Sequence, residues 1–184
     1  MSVVTFETLW YIDRAAGLVS YVSLYLAVLT GVFYNTKRFG ELHRAADRVH
    51  VPISVFATLT ILGHGIVGAV DTLAILDGAV PSPNYPINFF VNGVLVGVGG
   101  LLLLVVAVVA FLDPRRFDRP YSPRVVHAFA YGGYAFATIH AVAVGTEIRR
   151  LLRVSILSSV AFVVYLLIVR SLSAELGKND KRTA

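Results

Sequence analysis

From Val51 to Val70 the chain runs for twenty residues without an Asp, Glu, Lys or Arg. Three other uncharged runs are at least as long: Ala15–Thr36, Phe89–Leu112 and Val125–Thr146. A helix crossing the hydrocarbon core of a bilayer needs ~20 mostly apolar residues, so each of the four is long enough. A fifth run, Val154–Val169, is shorter but is extended by Leu151 and Leu152. Arg153 and Arg170 at its ends can snorkel to the interfaces. With 57% hydrophobic and only 15% charged residues, the chain lacks the polar surface of a soluble domain of its length. The expected fold is therefore an all-α membrane protein. A bundle of five transmembrane helices fills residues 1–172, and residues 173–184 form a short polar tail. The expected location is the plasma or inner membrane, as a multi-pass protein among lipids.

The basic residues give an orientation. Lys37, Arg38, Arg44 and Arg48 lie between the first two runs, and Arg115, Arg116, Arg119 and Arg124 between the third and fourth. Four more follow from Arg170 onward, whereas Asp71–Asn88 holds none. Placing those three groups inside puts twelve of the sixteen Lys and Arg residues in the cytoplasm, with the N-terminus outside and the C-terminus inside. Arg149, Arg150 and Arg153 fall on the opposite side. The N-terminal stretch to Asp13 has no basic segment and is not expected to be a cleaved signal peptide. Ser122-Pro123 reads as an N-cap followed by proline at the first helical position, and PSPNYPINFF reads as an irregular outer connection. The absence of cysteine excludes disulfides, thiolate metal sites, iron–sulfur clusters and thioether-linked haem.

Against this apolar background the histidines stand out. Intramembrane ionisable side chains are costly and usually face a bundle interior or a polar pathway. His50 and His64 belong to the second run, and His127 and His140 to the fourth. Fourteen residues of helix rise ~21 Å and fall ~40° short of four turns. His50 and His64 therefore share a face at two depths. The thirteen residues from His127 to His140 rise ~19.5 Å, which matches those depths. In the orientation above both helices run outward, so His50 is level with His127 and His64 with His140. Two imidazoles per level are what is needed to hold a haem iron from both axial sides.

Thirteen residues of ideal helix leave His127 and His140 ~140° out of phase, so the fourth helix is expected to bend or overwind, with Gly132-Gly133 as the place. Pro52 is expected to leave His50 on an irregular first turn. His43, in the basic stretch, is expected to be a solvated surface residue. Zinc sites want three or four clustered ligands, and the runs contain no acidic residues for a non-haem iron site or a proton relay. Gly63, Gly65 and Gly68 flank His64, and Ala128 and Ala130 flank His127; small residues equally suit close helix packing.

These features resemble the ferric-reductase transmembrane domain family, the haem-bearing core of NADPH oxidases and ferric reductases. They are also similar to the haem subunit of bacterial methionine sulfoxide reductase systems. The likeness rests on the two histidine pairs at spacings of fourteen and thirteen, on the basic stretch LHRAADRVH and on the entry DRAAGL. It covers roughly Ile12 to Leu172. The family core has six helices where five are expected here. Oxidases and ferric reductases continue into a flavin and nicotinamide domain, whereas here only Ser171–Ala184 remains. Only the haem-ligand positions therefore carry over.

The expected function is a membrane cytochrome with two b-type haems, passing electrons to or from a separate redox partner. The inner iron falls to His50 and His127, and the outer to His64 and His140. Arg14, Arg149 and Arg150 near the outer level, and Arg48 and Arg124 near the inner, are candidate partners for haem propionates, with interfacial anchoring as the alternative role. A second reading is a quinol-linked haem b anchor of a respiratory complex, with a quinone as further cofactor. A third, of a different class, is a cofactor-free transporter or structural membrane protein.

Overall fold

The computed structural model describes residues 6–79, 86–112, 125, 127–145 and 148–183. Among them every regular element is helical: α1 (Phe6–Tyr34), α2 (Glu41–Leu76), α3 (Ile87–Leu112), α4 (Phe129–Val144) and α5 (Arg153–Thr183). A 3-10 turn at Lys37–Phe39 joins α1 to α2, and a π-helical turn at Ile148–Leu152 precedes α5. Four helices are long and apolar enough to cross a membrane, over Thr8–Tyr34, Glu41–Leu76, Ile87–Ala110 and Arg153–Leu172. The shorter α4 has sixteen residues, with Val125 and His127 also helical ahead of it. Large apolar side chains point outward along α2 at Val55, Leu59, Leu62, Ile66 and Leu73. That outward stripe at helical spacing is compatible with a multi-pass protein facing lipid.

Local chemistry moves two helix boundaries from where the sequence alone puts them. Most of the basic stretch between the first two runs is the opening of α2, not a loop. Gly40, with φ of 53°, closes the 3-10 turn. Glu41 then supplies an acid to the first helical turn and an ion pair to Arg44, both favourable at a helix start. Ala45 and Ala46 propagate the helix, which passes through Pro52. A proline there removes one backbone donor but leaves the turn holding His50 helical. At the far end, α5 continues through the expected tail to Thr183. The Ser122-Pro123 cap, the loop arginines Arg115, Arg116 and Arg119, and residues 81–85 of PSPNYPINFF lie outside the described residues; its last four residues, expected to be irregular, are instead the first turn of α3.

The helices associate as two antiparallel hairpins, α1 with α2 and α3 with α4, each packed along its length. Between the hairpins α2 and α3 barely touch, and α1 meets α4 only in part. Small residues allow the tight packing within the second hairpin. A Cβ on Gly133 would lie 2.6 Å from Leu104 Cγ and 3.2 Å from the Gly100 carbonyl oxygen, so the α3 and α4 backbones approach as only glycine permits.

The apolar core runs between α1, α4 and α5 through Tyr21, Leu24, Val28, Tyr134, Ala141, Ile156 and Val163. A hydroxyl cluster joins the same three helices. Tyr21 Oη lies 3.2 Å from Tyr134 Oη, 3.3 Å from Thr138 Oγ1 and 3.1 Å from Ser159 Oγ. Tyr134 Oη is 3.0 Å from Ser159 Oγ. Buried hydroxyls need such partners, and this mutual supply ties α5 to the hairpins.

Candidate functional site

The four paired histidines meet across the gap between the hairpins. The ring centroids of His50 and His127 are 6.3 Å apart with their planes at 83°. Those of His64 and His140 are 6.1 Å apart, at 61°. Because His50 pairs with His127 and His64 with His140, α2 and α4 run in the same direction.

The thirteen-residue spacing on α4 is accommodated by overwinding, but not at Gly132-Gly133. The amide of Ala128 bonds the Val125 carbonyl, and that of Tyr131 bonds the Ala128 carbonyl, both over three residues. Such 3-10 turns rotate the chain further per residue than α-helix does. The adjustment therefore falls beside His127, while Gly133 serves helix contact.

Each ring is anchored through Nδ1 to its own hairpin. His140 Nδ1 is 2.9 Å from the Gly93 carbonyl oxygen and His127 Nδ1 is 3.3 Å from that of Ala107. A carbonyl only accepts, so Nδ1 carries the proton in both rings. His50 Nδ1 is 3.1 Å from Thr30 Oγ1. The Thr30 hydroxyl itself donates to the backbone, 2.8 Å from Leu26 O and 3.0 Å from Ala27 O, so it accepts from His50. His64 Nδ1 lies 3.0 Å from Asp13 Oδ1 as an ion-pair contact. For His50, His127 and His140 the Nδ1 hydrogen bond leaves the lone pair of the neutral ring on Nε2, on the other side of the ring from the anchor.

Glycines make room for three of the rings. A Cβ on Gly17 would lie 3.0 Å from His64 Cε1, one on Gly31 3.1 Å from His50 Cε1, and one on Gly97 2.6 Å from His140 Nδ1. Gly17 and Gly31 are fourteen residues apart on α1, like His64 and His50 on α2, as antiparallel pairing requires. These glycines, with Asp13, Thr30 and the carbonyls of Gly93 and Ala107, escape a search for ligand-type residues. The matched fourteen-residue interval was the signal available in the sequence.

Apolar space adjoins both pairs. A partly open pocket borders His50 and His127 and is walled by Leu24, Val28, Ala57, Leu104 and Ala130. A more open groove on α1 and α2 borders His64 between Ile12, Ala16, Val19, Gly63 and Val67. Among the described residues no group of three or more His, Cys, Asp or Glu side chains could hold a metal ion. Each level thus offers two imidazoles. An imidazole nitrogen sits about 2.0 Å from a first-row metal and about 1.1 Å ahead of its ring centre, so two rings in line on one metal have centroids about 6.2 Å apart. Both pairs have that spacing.

The candidate arginines are less fully described. The Arg14 guanidinium lies 3.4 Å from the centre of the Trp10 ring, one residue beyond Asp13 at the His64 level. Arg48 is exposed, two residues before His50. Arg124 lies outside the described residues, as do the side chains of Arg149 and Arg150, whose backbone forms part of the π-helical turn. His43 is half-buried, and its Nδ1 is 3.3 Å from the Phe33 carbonyl oxygen at the end of α1.

No curated protein and no solved structure matches this chain. Residues 8–147 match a family model described as a domain of unknown function, DUF8596, a span that takes in α1 to α4 and all four paired histidines. The chain belongs to that family.

Proposed function

We propose that the protein is a membrane-spanning b-type cytochrome that exchanges electrons with a separate redox partner, as its resemblance to the ferric-reductase transmembrane domain implies. The observation that carries this reading is the ring separation, 6.3 and 6.1 Å in two independent pairs, which suits one iron between each pair of imidazoles. In this reading His50 and His127 hold the inner haem and His64 and His140 the outer. The proposed topology has five spans, with the N-terminus outside and the C-terminus inside.

Bound haem would supply a one-electron carrier at each of two depths, in a layer that otherwise excludes charge. The chain's own residues fix the rest. The Nδ1 hydrogen bonds of His50, His127 and His140 hold those rings in the tautomer that presents an Nε2 lone pair, as metal-binding histidines generally require. Gly17, Gly31 and Gly97 let the rings stand upright against α1 and α3. The apolar walls keep water from the ligands. With two imidazoles committed to each iron, the group would serve electron transfer and not capture of a small molecule. Arg14 and Arg48, at the levels of the outer and inner pairs, are placed to balance carboxylate groups at a porphyrin edge.

The test is haem quantification and a reduced-minus-oxidised spectrum on the purified chain, beside His64→Ala and His127→Ala. Two haems per chain are expected in the parent, with one lost in each variant and at different levels. A colourless parent protein would overturn the proposal in favour of a cofactor-free bundle.

A further inference from the structure

The two histidine levels differ in one respect that bears directly on redox behaviour. At the inner level the Nδ1 anchors are the Thr30 hydroxyl and the Ala107 carbonyl, both neutral. At the outer level His140 has the neutral Gly93 carbonyl, but His64 faces the Asp13 carboxylate at 3.0 Å. The contact is enclosed. Asp13 Oδ1 and His64 Nδ1 are both buried, and neither has an aligned hydrogen bond among the described residues. Gly68 keeps α2 close to this carboxylate, since a Cβ there would lie 3.2 Å from Asp13 Oδ1.

A second carboxylate adds to this asymmetry among the described residues. Asp71, one helical turn beyond Gly68, is buried at 8% exposure, and its Oδ1 also lacks a hydrogen-bond partner. It lies within electrostatic reach of both Asp13 and Arg14. Among the described side chains the outer level gathers two carboxylates, Asp13 and Asp71, beside the Arg14 guanidinium, which rests on the face of Trp10.

We propose that Asp13 is a positioning residue that sets the reduction potential of the outer haem, held by His64 and His140, below that of the inner one. The inference rests on the dihaem reading above. Its physical basis is charge: ferric iron carries one more positive charge than ferrous iron. A carboxylate 3.0 Å from the ligand ring stabilises that extra positive charge and so favours the ferric form. Hydroxyl and carbonyl anchors do this more weakly. A single electron on the chain would then rest at the His50–His127 level at equilibrium.

Spectroelectrochemical titration of the full chain, purified with its haem, tests this. Haem content is measured first, so a colourless parent protein overturns the underlying reading before any variant is compared. In the parent two midpoint potentials are expected. Asp13→Asn should raise the lower one and leave the higher unmoved, while Asp13→Glu should stay near the parent value. Movement of the higher potential, or of neither, overturns the role of Asp13. Should Asp13→Asn lose the outer haem, Thr30→Asp decides, because it brings a carboxylate to His50. The higher potential then falls if the inference is right, and its constancy overturns it.

Discussion

Gly17 on α1 faces the ring of His64 on α2 so closely that a Cβ would lie 3.0 Å from the imidazole Cε1. Fourteen residues further along α1, Gly31 stands in the same relation to His50 at 3.1 Å. On the second hairpin Gly97 and His140 approach closer still. The histidines are thus held by what neighbouring helices lack as well as by what they donate.

Gly97→Ala tests this cradle. The added methyl would fall 2.6 Å from His140 Nδ1, so the ring must shift and its bond to the Gly93 carbonyl is lost. Outer haem content is expected to drop with the inner haem retained. Gly31→Ala, with a 3.1 Å approach, should act more mildly and on the inner haem. Wild-type haem-to-protein ratios in Gly97→Ala would contradict the cradle.

The ring planes give a spectroscopic expectation. The ring planes cross at 83° for His50–His127 and 61° for His64–His140; if each pair held one iron, such crossed rings would leave two iron d orbitals nearly equal in energy. Low-temperature electron paramagnetic resonance of the oxidised protein should show strongly anisotropic low-spin signals, the more extreme from the inner pair. Signals of ordinary rhombic low-spin type at both levels would exclude the crossed arrangement.

Tyr21→Phe removes a hydroxyl that meets three others, at 3.1 to 3.3 Å. A loss of about 1–2 kcal/mol in stability is expected, because the partners are left short of hydrogen bonds in the interior. Thermal denaturation in detergent measures it. Combining Tyr21→Phe with Tyr134→Phe should cost less than the two separate losses together, since they share one network.

Glycines separate into tight and loose sites. Gly133→Ala drives a methyl into Leu104 at 2.6 Å and should cost about 1–3 kcal/mol through overpacking. Gly65→Ala meets only a Leu101 methyl at 3.7 Å, so it should be neutral or gain up to about 1 kcal/mol from helix propensity. Equal melting temperatures for the two variants would show that the α3–α4 contact is looser than described.

The helices were legible because their cause is local. Long uncharged runs specify helix and apolar exterior wherever the chain is placed, so α1, α2, α3 and α5 could be read directly. Boundaries were less legible: Glu41, Ala45 and Ala46 start α2 within a stretch whose charges suggest a loop. On α4 the thirteen-residue spacing showed that extra rotation was needed, yet not where. The glycine pair invited the wrong site because its packing against Leu104 and Gly100 involves residues some thirty positions away.

The sequence by itself determined that two histidines lie at matched intervals on each of two apolar helices, because helical rise and rotation follow from residue number alone. Only the tertiary structure decided what faces them. Whether His64 meets Asp13 while His50 meets Thr30 depends on the register of α1 against α2. That register is set by glycine contacts between distant segments, and no property local to either helix contains it.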